Sequence, residues 1–273
     1  MTARPASRVT VREVAPALDL REFVRSYHYT VMSLTTPILT PLTARPELMM
    51  QFAVRQRFSI VDHASGTISG APDVVFVGRQ TRRNIDLAAS GELATFTVHF
   101  QPAGFYGLFG MPMVHVTDLT LDAEDVLGTE IRAVNQQVQA SSTPYEMVAH
   151  VESLLRKRAR ISFAKHPVES AATVLLASGS AADLGSLAAG CGLSVRQFER
   201  AFVQRVGVSP KLFARIVRFA SAVQAKRNAP RRSWADIAAH TGYYDQMHLI
   251  RDCRGFSGMT PTALLDVWMD CRP

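Results

Sequence analysis

Residues 187–210 read L-A-A-G-C-G-L-S-V-R-Q-F-E-R-A-F-V-Q-R-V-G-V-S-P, and residues 237–261 read I-A-A-H-T-G-Y-Y-D-Q-M-H-L-I-R-D-C-R-G-F-S-G-M-T-P. The second stretch repeats the first. Leu187-Ala188-Ala189 aligns with Ile237-Ala238-Ala239, and Gly192 with Gly242. After one inserted residue, Ser194 aligns with Asp245, Phe198 with Leu249, Arg200 with Arg251, Phe202 with Cys253, Gly207 with Gly258, and Ser209-Pro210 with Thr260-Pro261. A period shared by apolar, turn and cap positions implies two copies of one supersecondary unit.

Each copy carries its own punctuation. In the first, Asp183 to Ala189 reads as a short helix and Gly190 to Gly192 as a turn in which glycine takes positive φ. Ser194 with Gln197 forms a capping-box pattern that starts the next helix, Gly207 ends it, and Ser209-Pro210 starts another. In the second copy Ser233 with Asp236 gives a cap signature, Gly242 the turn and Asp245 the next cap. Helix, tight glycine-containing turn, helix is the helix-turn-helix signature.

The second helix of each pair has two faces. Phe198, Ala201 and Phe202 lie on one side of the first, with Arg196, Glu199, Arg200 and Val203 opposite at spacings of three and four. In the second, Leu249 and Cys253 point inward, while Met247, Ile250, Arg251 and Arg254 share the outer face. Such a stripe suits a helix lying in a DNA major groove, because arginine binds guanine O6 and N7 bidentately and glutamate accepts from cytosine N4. Gln246 and His248 are further candidates for base or phosphate contacts. Between the copies runs Pro210 to Arg227, with an apolar stripe (Leu212, Ile216, Phe219, Val223) and a basic one (Lys211, Arg215, Arg218, Lys226). As a helix this segment spans about 27 Å, approaching the ~34 Å of one DNA turn. One chain therefore could set both helices in successive major grooves.

Charge distribution agrees. The chain has 273 residues and a formal net charge of +7. Residues 1–165 hold 17 Lys and Arg against 15 Asp and Glu, while residues 166–273 hold 13 against 8. The basic excess sits in the C-terminal half, which suits an anionic partner. A boundary is expected at the basic run Arg156 to Arg160 and the following Lys165-His166-Pro167, giving domains 1–160 and 166–273.

The N-terminal half reads as β followed by α. Leu48 to Val54, Phe58 to Asp62, Val74 to Val77, Asn84 to Leu87 and Leu93 to Phe100 are β-prone runs separated by Ala64-Ser65-Gly66, Gly70-Ala71-Pro72-Asp73 and Ser90-Gly91-Glu92. Thr95, Thr97 and His99 alternate with Phe96, Val98 and Phe100, the pattern of a half-buried strand. Short strands at this spacing suggest a sandwich or small barrel. Ala103 to Phe109, Ala123 to Val138 and Tyr145 to Arg158 read as helices. The fold class is therefore α+β: a β-rich N-terminal domain with helices, then an all-α domain with two helix-turn-helix units joined by a long helix.

Other chemistries find little support. No apolar run reaches the ~18 residues of a membrane span, and Met1 to Val14 has no apolar core of a secretory signal. Three cysteines (Cys191, Cys253, Cys271) form no C-x-x-C pair, so neither a disulfide framework nor a cysteine zinc site is expected, and a cytoplasmic setting is. His63, His99 and His115 show neither H-x-H nor H-E-x-x-H, so no metal is expected. Gly190-x-Gly192 lacks the third glycine and the preceding strand of a nucleotide loop. Asp122, Glu124 and Asp125 fit a helix start better than a catalytic pair. Cys191 reads as a packed residue, and Tyr243 as a turn and core residue.

The motif L-A-x-x-C-G-L-S-x-R-x-F-x-R-x-F-x-x-x-x-G-x-S-P, followed by I-A-x-x-x-G-Y-Y-D-Q-x-H-L-x-R-x-C-x-x-x-x-G-x-T-P, resembles the AraC/XylS family of transcriptional regulators over about Asp183 to Leu265. The resemblance implies a seven-helix DNA-binding domain. It places base-facing residues at Arg196, Glu199 and Arg200 in the first unit and at Gln246, Met247 and Arg251 in the second. Phosphate contacts are expected from Ser194, Lys211, Arg215, Arg218 and Arg254. Leu249 and Cys253 stand where the family usually has Phe, which implies changed packing. Met247 and Ile250 are poor donors, so the second unit is expected to read methyl groups or mainly to hold phosphates. Less specifically, Val98 to Gly110 resembles the cupin-like sensor domains of some members, which bind an effector or mediate dimerisation. Double-stranded DNA is the expected partner, with a small-molecule effector, RNA polymerase and a second copy as further candidates, and no cofactor. Two competing readings are a cupin-like enzyme tethered to DNA by the basic half, and a DNA-packaging protein without sequence choice.

Overall fold

The β-prone runs assemble into one antiparallel sheet. The computed structural model describes residues 8–159, 166–178 and 183–270. The expected boundary between 160 and 166 lies outside them. Eight strands form the sheet: β1 (Arg8–Val14), β2 (Val24–Pro41), β3 (Met49–Ala53), β4 (Ser59–Asp62), β5 (Ile68–Gly70), β6 (Val74–Val77), β7 (Ile85–Phe100) and β8 (Thr120–Asp122). Their order is β1-β2-β7-β3-β6-β8, and β4 pairs with both β5 and β7. The long β2–β7 ribbon is its spine. Its register shifts between Leu34 and Ile38, beside Gly91 at φ 72°. On one side of that shift β7 pairs with β3, and on the other with β4.

This spine differs from the sequence reading in two ways. Ile85 to Leu87 and Leu93 to Phe100 belong to one strand, because the chain runs straight on through Ser90-Gly91-Glu92 and the extra residues of the irregularity, 35–37, lie on β2. The expected half-buried pattern is buried on both faces. Phe96, Val98 and Phe100 meet the helices in the main core, while Thr95 and Thr97 are buried on the opposite face. There β4 brings Phe58 and Ile60 against Met49, Val75 and Val77, so the sheet curls into a partly closed barrel.

Helices α1 (Gly104–Phe109), α2 (Ala123–Leu127), α3 (Glu130–Ala140) and α4 (Pro144–Ala159) cover the outer face, with Val134, Val138, Val151 and Leu155 against Phe52 and Phe96. The single helix expected over Ala123 to Val138 is two. Gly128 ends α2 at φ 81°, a conformation that glycine reaches without steric cost.

Seven helices follow, as the resemblance implies: α5 (Pro167–Ala177), α6 (Leu184–Gly190), α7 (Val195–Val206), α8 (Pro210–Asn228), α9 (Trp234–His240), α10 (Gln246–Ser257) and α11 (Pro261–Asp270). Phe198, Phe202 and Val206 of α7 share one core with Phe213 and Val217 of α8 and Val168, Ala172 and Leu175 of α5. The corresponding residues of α10 divide between two smaller clusters. Leu249 packs with Ala222, Ile237, Ala238 and Tyr243, and Cys253 with Ile216, Phe219, Phe256 and Leu264. Where the first unit fills its centre with two phenylalanines, the second has smaller side chains there, and Phe256 and Tyr243 supply bulk from either side. Among the described residues no helix is long and apolar enough to cross a membrane.

Phe202 is fully buried, its ring centroid 5.7 Å from those of both Phe198 and Phe213. Phe202→Ala is expected to cost about 3–5 kcal/mol, read as a lowered urea midpoint of unfolding.

Candidate nucleic-acid interface

Sequence-local capping builds both helix-turn-helix units. In the first, the Asp183 carboxylate accepts the Ser186 N–H at 2.8 Å to start α6. Gly192 at φ 67° turns the chain, and Leu193 donates its N–H to Ala188 O at 3.0 Å. Ser194 and Gln197 then close the expected capping box at the start of α7. The second unit repeats these steps. Ser233 accepts the Asp236 N–H at 3.0 Å, Gly242 sits at φ 78°, Tyr243 donates to Ala238 O at 3.0 Å, and Asp245 accepts the His248 N–H at 2.7 Å. Gly207 and Gly258 end α7 and α10 in the left-handed region, at φ 92° and 71°.

Such repetition sets corresponding positions of α7 and α10 on corresponding faces. Arg196, Glu199 and Arg200 are exposed on α7, and Gln246, Met247 and Arg251 on α10. Met247 is 59% exposed and its neighbour Tyr244 is 92% exposed, an apolar addition to a polar stripe. Lys211 and Arg254 are also exposed.

Three residues expected at phosphates have work inside the protein. The Ser194 hydroxyl lies 2.9 Å from Gln197 Oε1 within the capping box. Arg215 donates to Asp252 at 2.6 Å, with its guanidinium 5.2 Å from the centre of the Phe256 ring. Arg218 donates to Gly242 O at 3.1 Å and lies over Tyr243 at 4.7 Å. Tyr243 in turn donates to Asp252 at 3.3 Å. These two arginines tie α8 to the second unit through its turn glycine and the inward acid of α10. The helical spacing showed them on a basic stripe; their partners come from another part of the chain.

Residues 187–266 match the model of a helix-turn-helix domain family (HTH_18), and residues 12–122 match that of a domain of unknown function (DUF6597). Residues 187–266 therefore form a helix-turn-helix domain of that family. Among solved structures, ToxT from Vibrio cholerae shares the two-domain layout, at a TM-score of 0.50 and 8% identity over 96% of this chain and 99% of that one. A further ToxT structure, bound to (E)-4-(8-methylnaphthalen-1-yl)but-3-enoic acid, aligns at a TM-score of 0.49 and 9% identity over the same shares, 96% and 99%. The AraC-like transcriptional activator CuxR aligns at 0.26 and 12% identity, over 78% of this chain and 86% of that one. No curated protein sequence matches the chain.

In this chain the β-domain touches the helix-turn-helix domain. Arg79, 1% exposed, donates to Pro46 O at 3.0 Å, to Pro102 O at 3.2 Å, and to Val206 O at the last residue of α7. Its guanidinium also lies 5.0 Å from the centre of the Phe213 ring. Burial pushes its pKa down to about 9, which leaves it charged at neutral pH. No local signal marks this residue, since Val206 lies 127 positions along the chain.

A cleft of about 880 Å³ opens beside this contact, between the β-domain and α8. Arg25, His28, Arg45 and His99 line one wall, and Ser221, Gln224 and Arg227 the other. The ring of His99 sits 4.4 Å from that of His28. Burial first, then His28, Arg45 and Arg25, pushes the His99 pKa down to about 3. Arg25 pairs with Glu47 at 3.6 Å, whereas the Arg45 Nε is buried with no hydrogen-bond partner among the described residues. His63 instead pairs with Asp86 at 3.1 Å, and among the described residues no three His, Cys, Asp or Glu side chains are placed to hold a metal ion. Cys253 is buried, which pushes its thiol up to about 11.

The His248 N–H holds the Asp245 carboxyl below the usual aspartate range. The stability this cap lends α10 is therefore present above the unfolded-state value of about 3.9 and is lost as pH falls through the lower folded value. The protection of the amides in the first turn of α10, taken against the intrinsic exchange rate at each pH, is expected to fall on acidification through that window in the wild type. In Asp245→Asn, which caps without titrating, that protection is expected to stay flat.

Proposed function

We propose that this chain binds a two-box DNA site as a transcriptional regulator of the cytoplasm, with α7 and α10 entering successive major grooves on one face of the duplex. The observation that carries this reading is the matched pair of capped helices, each offering an exposed stripe at equivalent positions. Arg196, Glu199 and Arg200 read bases in the first box. Gln246 and Arg251 read the second, with Met247 against a thymine methyl group. Lys211 and Arg254 neutralise phosphates. Arg215 and Arg218 support the second unit from within, and Ser194 contributes as a cap.

In the same reading, the cleft between the β-domain and α8 takes a small anionic effector. Its volume is that of ligand sites in general, and Arg45, whose buried Nε has no hydrogen-bond partner among the described residues, lines it with Arg25, beside the carboxylates of Glu13 and Glu47.

In vitro selection of bound duplexes is expected to return two conserved boxes about one helical turn apart, and random recovered sequences would defeat the proposal. Arg200→Ala is expected to lose about 1–3 kcal/mol on the selected site and to relax one base position. Lys211→Ala is expected to weaken all duplexes alike and to lower the salt slope by about one. Both are read by titration of labelled DNA at several salt concentrations. Among a panel of mono- and dicarboxylates, at least one is expected to raise the melting midpoint of the wild type, and Arg45→Gln to abolish that shift. A panel without effect removes the effector reading and leaves the DNA reading standing.

A further inference from the structure

Three loops at one end of the β-domain are knotted together by hydrogen bonds. Arg45 donates its N–H to Gln80 O at 3.0 Å, and Asp118 donates its own to Arg79 O at 2.9 Å. The Asp118 carboxylate accepts both the N–H and the hydroxyl of Thr81, each at 2.6 Å. The Gln80 amide donates to Gly78 O at 2.9 Å and to Leu119 O at 3.3 Å. Gly78 is packed so closely against the Val116 carbonyl that a Cβ there would overlap it. Asp118 is the non-glycine residue among those described that is held at positive φ, 62°. A backbone held in a sparsely populated region persists where its surroundings over-determine it, and such outliers cluster at functional positions.

This platform presents two donors and a hydroxyl to the DNA-binding domain, and all three groups meet the C-terminal ends of the recognition helices. Arg79 takes the Val206 carbonyl, the last of α7. The Thr117 hydroxyl, 3.0 Å from Met113 O, shares its one proton between that carbonyl and Gly207 O, 3.2 Å away, the carbonyl of the residue that caps α7. Ala44 donates its N–H to Phe256 O, in the last turn of α10, at 3.0 Å. Apolar contacts flank these bonds. Ala44 lies in the cluster of Cys253, Phe256 and Leu264, and Arg205 of α7 lies over Tyr106 of α1 at 4.9 Å. Carbonyls at a helix C-terminus lack intrahelical donors and carry the negative end of the dipole, so a buried guanidinium is well suited to grip one.

We infer that Arg79, Thr117 and Ala44 are positioning residues of the DNA-reading surface: the β-domain clamps both recognition helices by their C-terminal carbonyls and thereby sets the spacing of DNA boxes that the chain accepts. None of the three reaches DNA itself. The long helix α8 packs into the cores of both units, and a second anchorage of their far ends on one platform restricts the angle and separation between them further. This inference rests on the proposal that both helices read DNA.

The test uses the full chain and duplexes carrying either one selected box or two, with the separation of the two changed one base pair at a time. Each base pair moves the second box by about 3.4 Å along the axis and about a tenth of a turn around it. The wild type is expected to lose at least about tenfold in affinity when the spacing is wrong by one or two base pairs. Two variants loosen the clamp. Thr117→Leu drives a branched chain against Gly207, where there is no room even for a Cβ on the glycine. Arg79→Lys keeps the charge but cannot reach three carbonyls at once. Each is expected to shrink the spacing penalty to within about threefold while binding a single-box duplex as the wild type does. Thr117→Ser, which keeps the hydroxyl, is expected to retain the wild-type profile. Thermal melts establish which variants fold, and either folded variant decides the matter. A wild-type spacing profile in a folded clamp variant, or a wild type indifferent to spacing, overturns the inference. A wild type that recovers no two-box site at all defeats the DNA proposal instead, so the two failures are distinguishable.

Discussion

At the centre of the contact between the two domains a whole guanidinium is buried. Arg79 is buried where the β-domain meets α7 and α8, and taking a charge out of water costs several kcal/mol unless its donors are satisfied. Here carbonyls of Pro46, Pro102 and Val206 receive them, and Phe213 offers its ring face. Carbonyl acceptors leave the positive charge uncancelled, which suits the negative end of α7. Hydrogen bonds from charged groups are worth about 1.5–3 kcal/mol each, so the arrangement is stable only when both domains are in place. It welds the first reading unit to the sheet.

The two reading units solve one folding problem with different side chains. In the first, Phe198 and Phe202 fill the centre, and Arg205 of α7 pairs with Glu169 of α5 at 3.4 Å. In the second, Leu249 and Cys253 leave the filling to Tyr243 and Phe256. Arg215, Asp252, Tyr243 and Arg218 then form a polar bracket from α8 to the turn at Gly242. The Arg218 Nε itself has no hydrogen-bond partner among the described residues, so its hold on the turn comes from the Gly242 carbonyl and the Tyr243 ring. The basic stripe of α8 is thus partly a scaffold, and the positive charge facing outward comes from Lys211 and the exposed arginines of α7 and α10.

The β-domain shows where sequence patterns mislead. β2 runs for eighteen residues with Pro37 inside it, and Pro37 lies in the register shift between Leu34 and Ile38, where the ladder is interrupted anyway. Neither β1 nor β2 stood out as a strand, because the exposed face of β1 and the mixed residues of β2 do not alternate cleanly. Thr95 and Thr97 looked solvated because threonine is polar, yet the curl of the sheet buries them. Gly128 split a helix that the apolar spacing alone had joined.

What the sequence by itself determined is the local chemistry of the reading units. Caps, glycine turns and the inward and outward faces of α7 and α10 depend on residues within four positions of one another, and a chain that repeats them must repeat their geometry. What only the tertiary structure decided is how those units are held and what surrounds them: the grip of Arg79 and Ala44 on the two helix ends, the inward turn of Arg215 and Arg218, and the cleft that brings Arg45 and His99 opposite Gln224. These contacts join side chains and carbonyls far apart along the chain. Their partners are chosen by packing and burial, which no short-range period records.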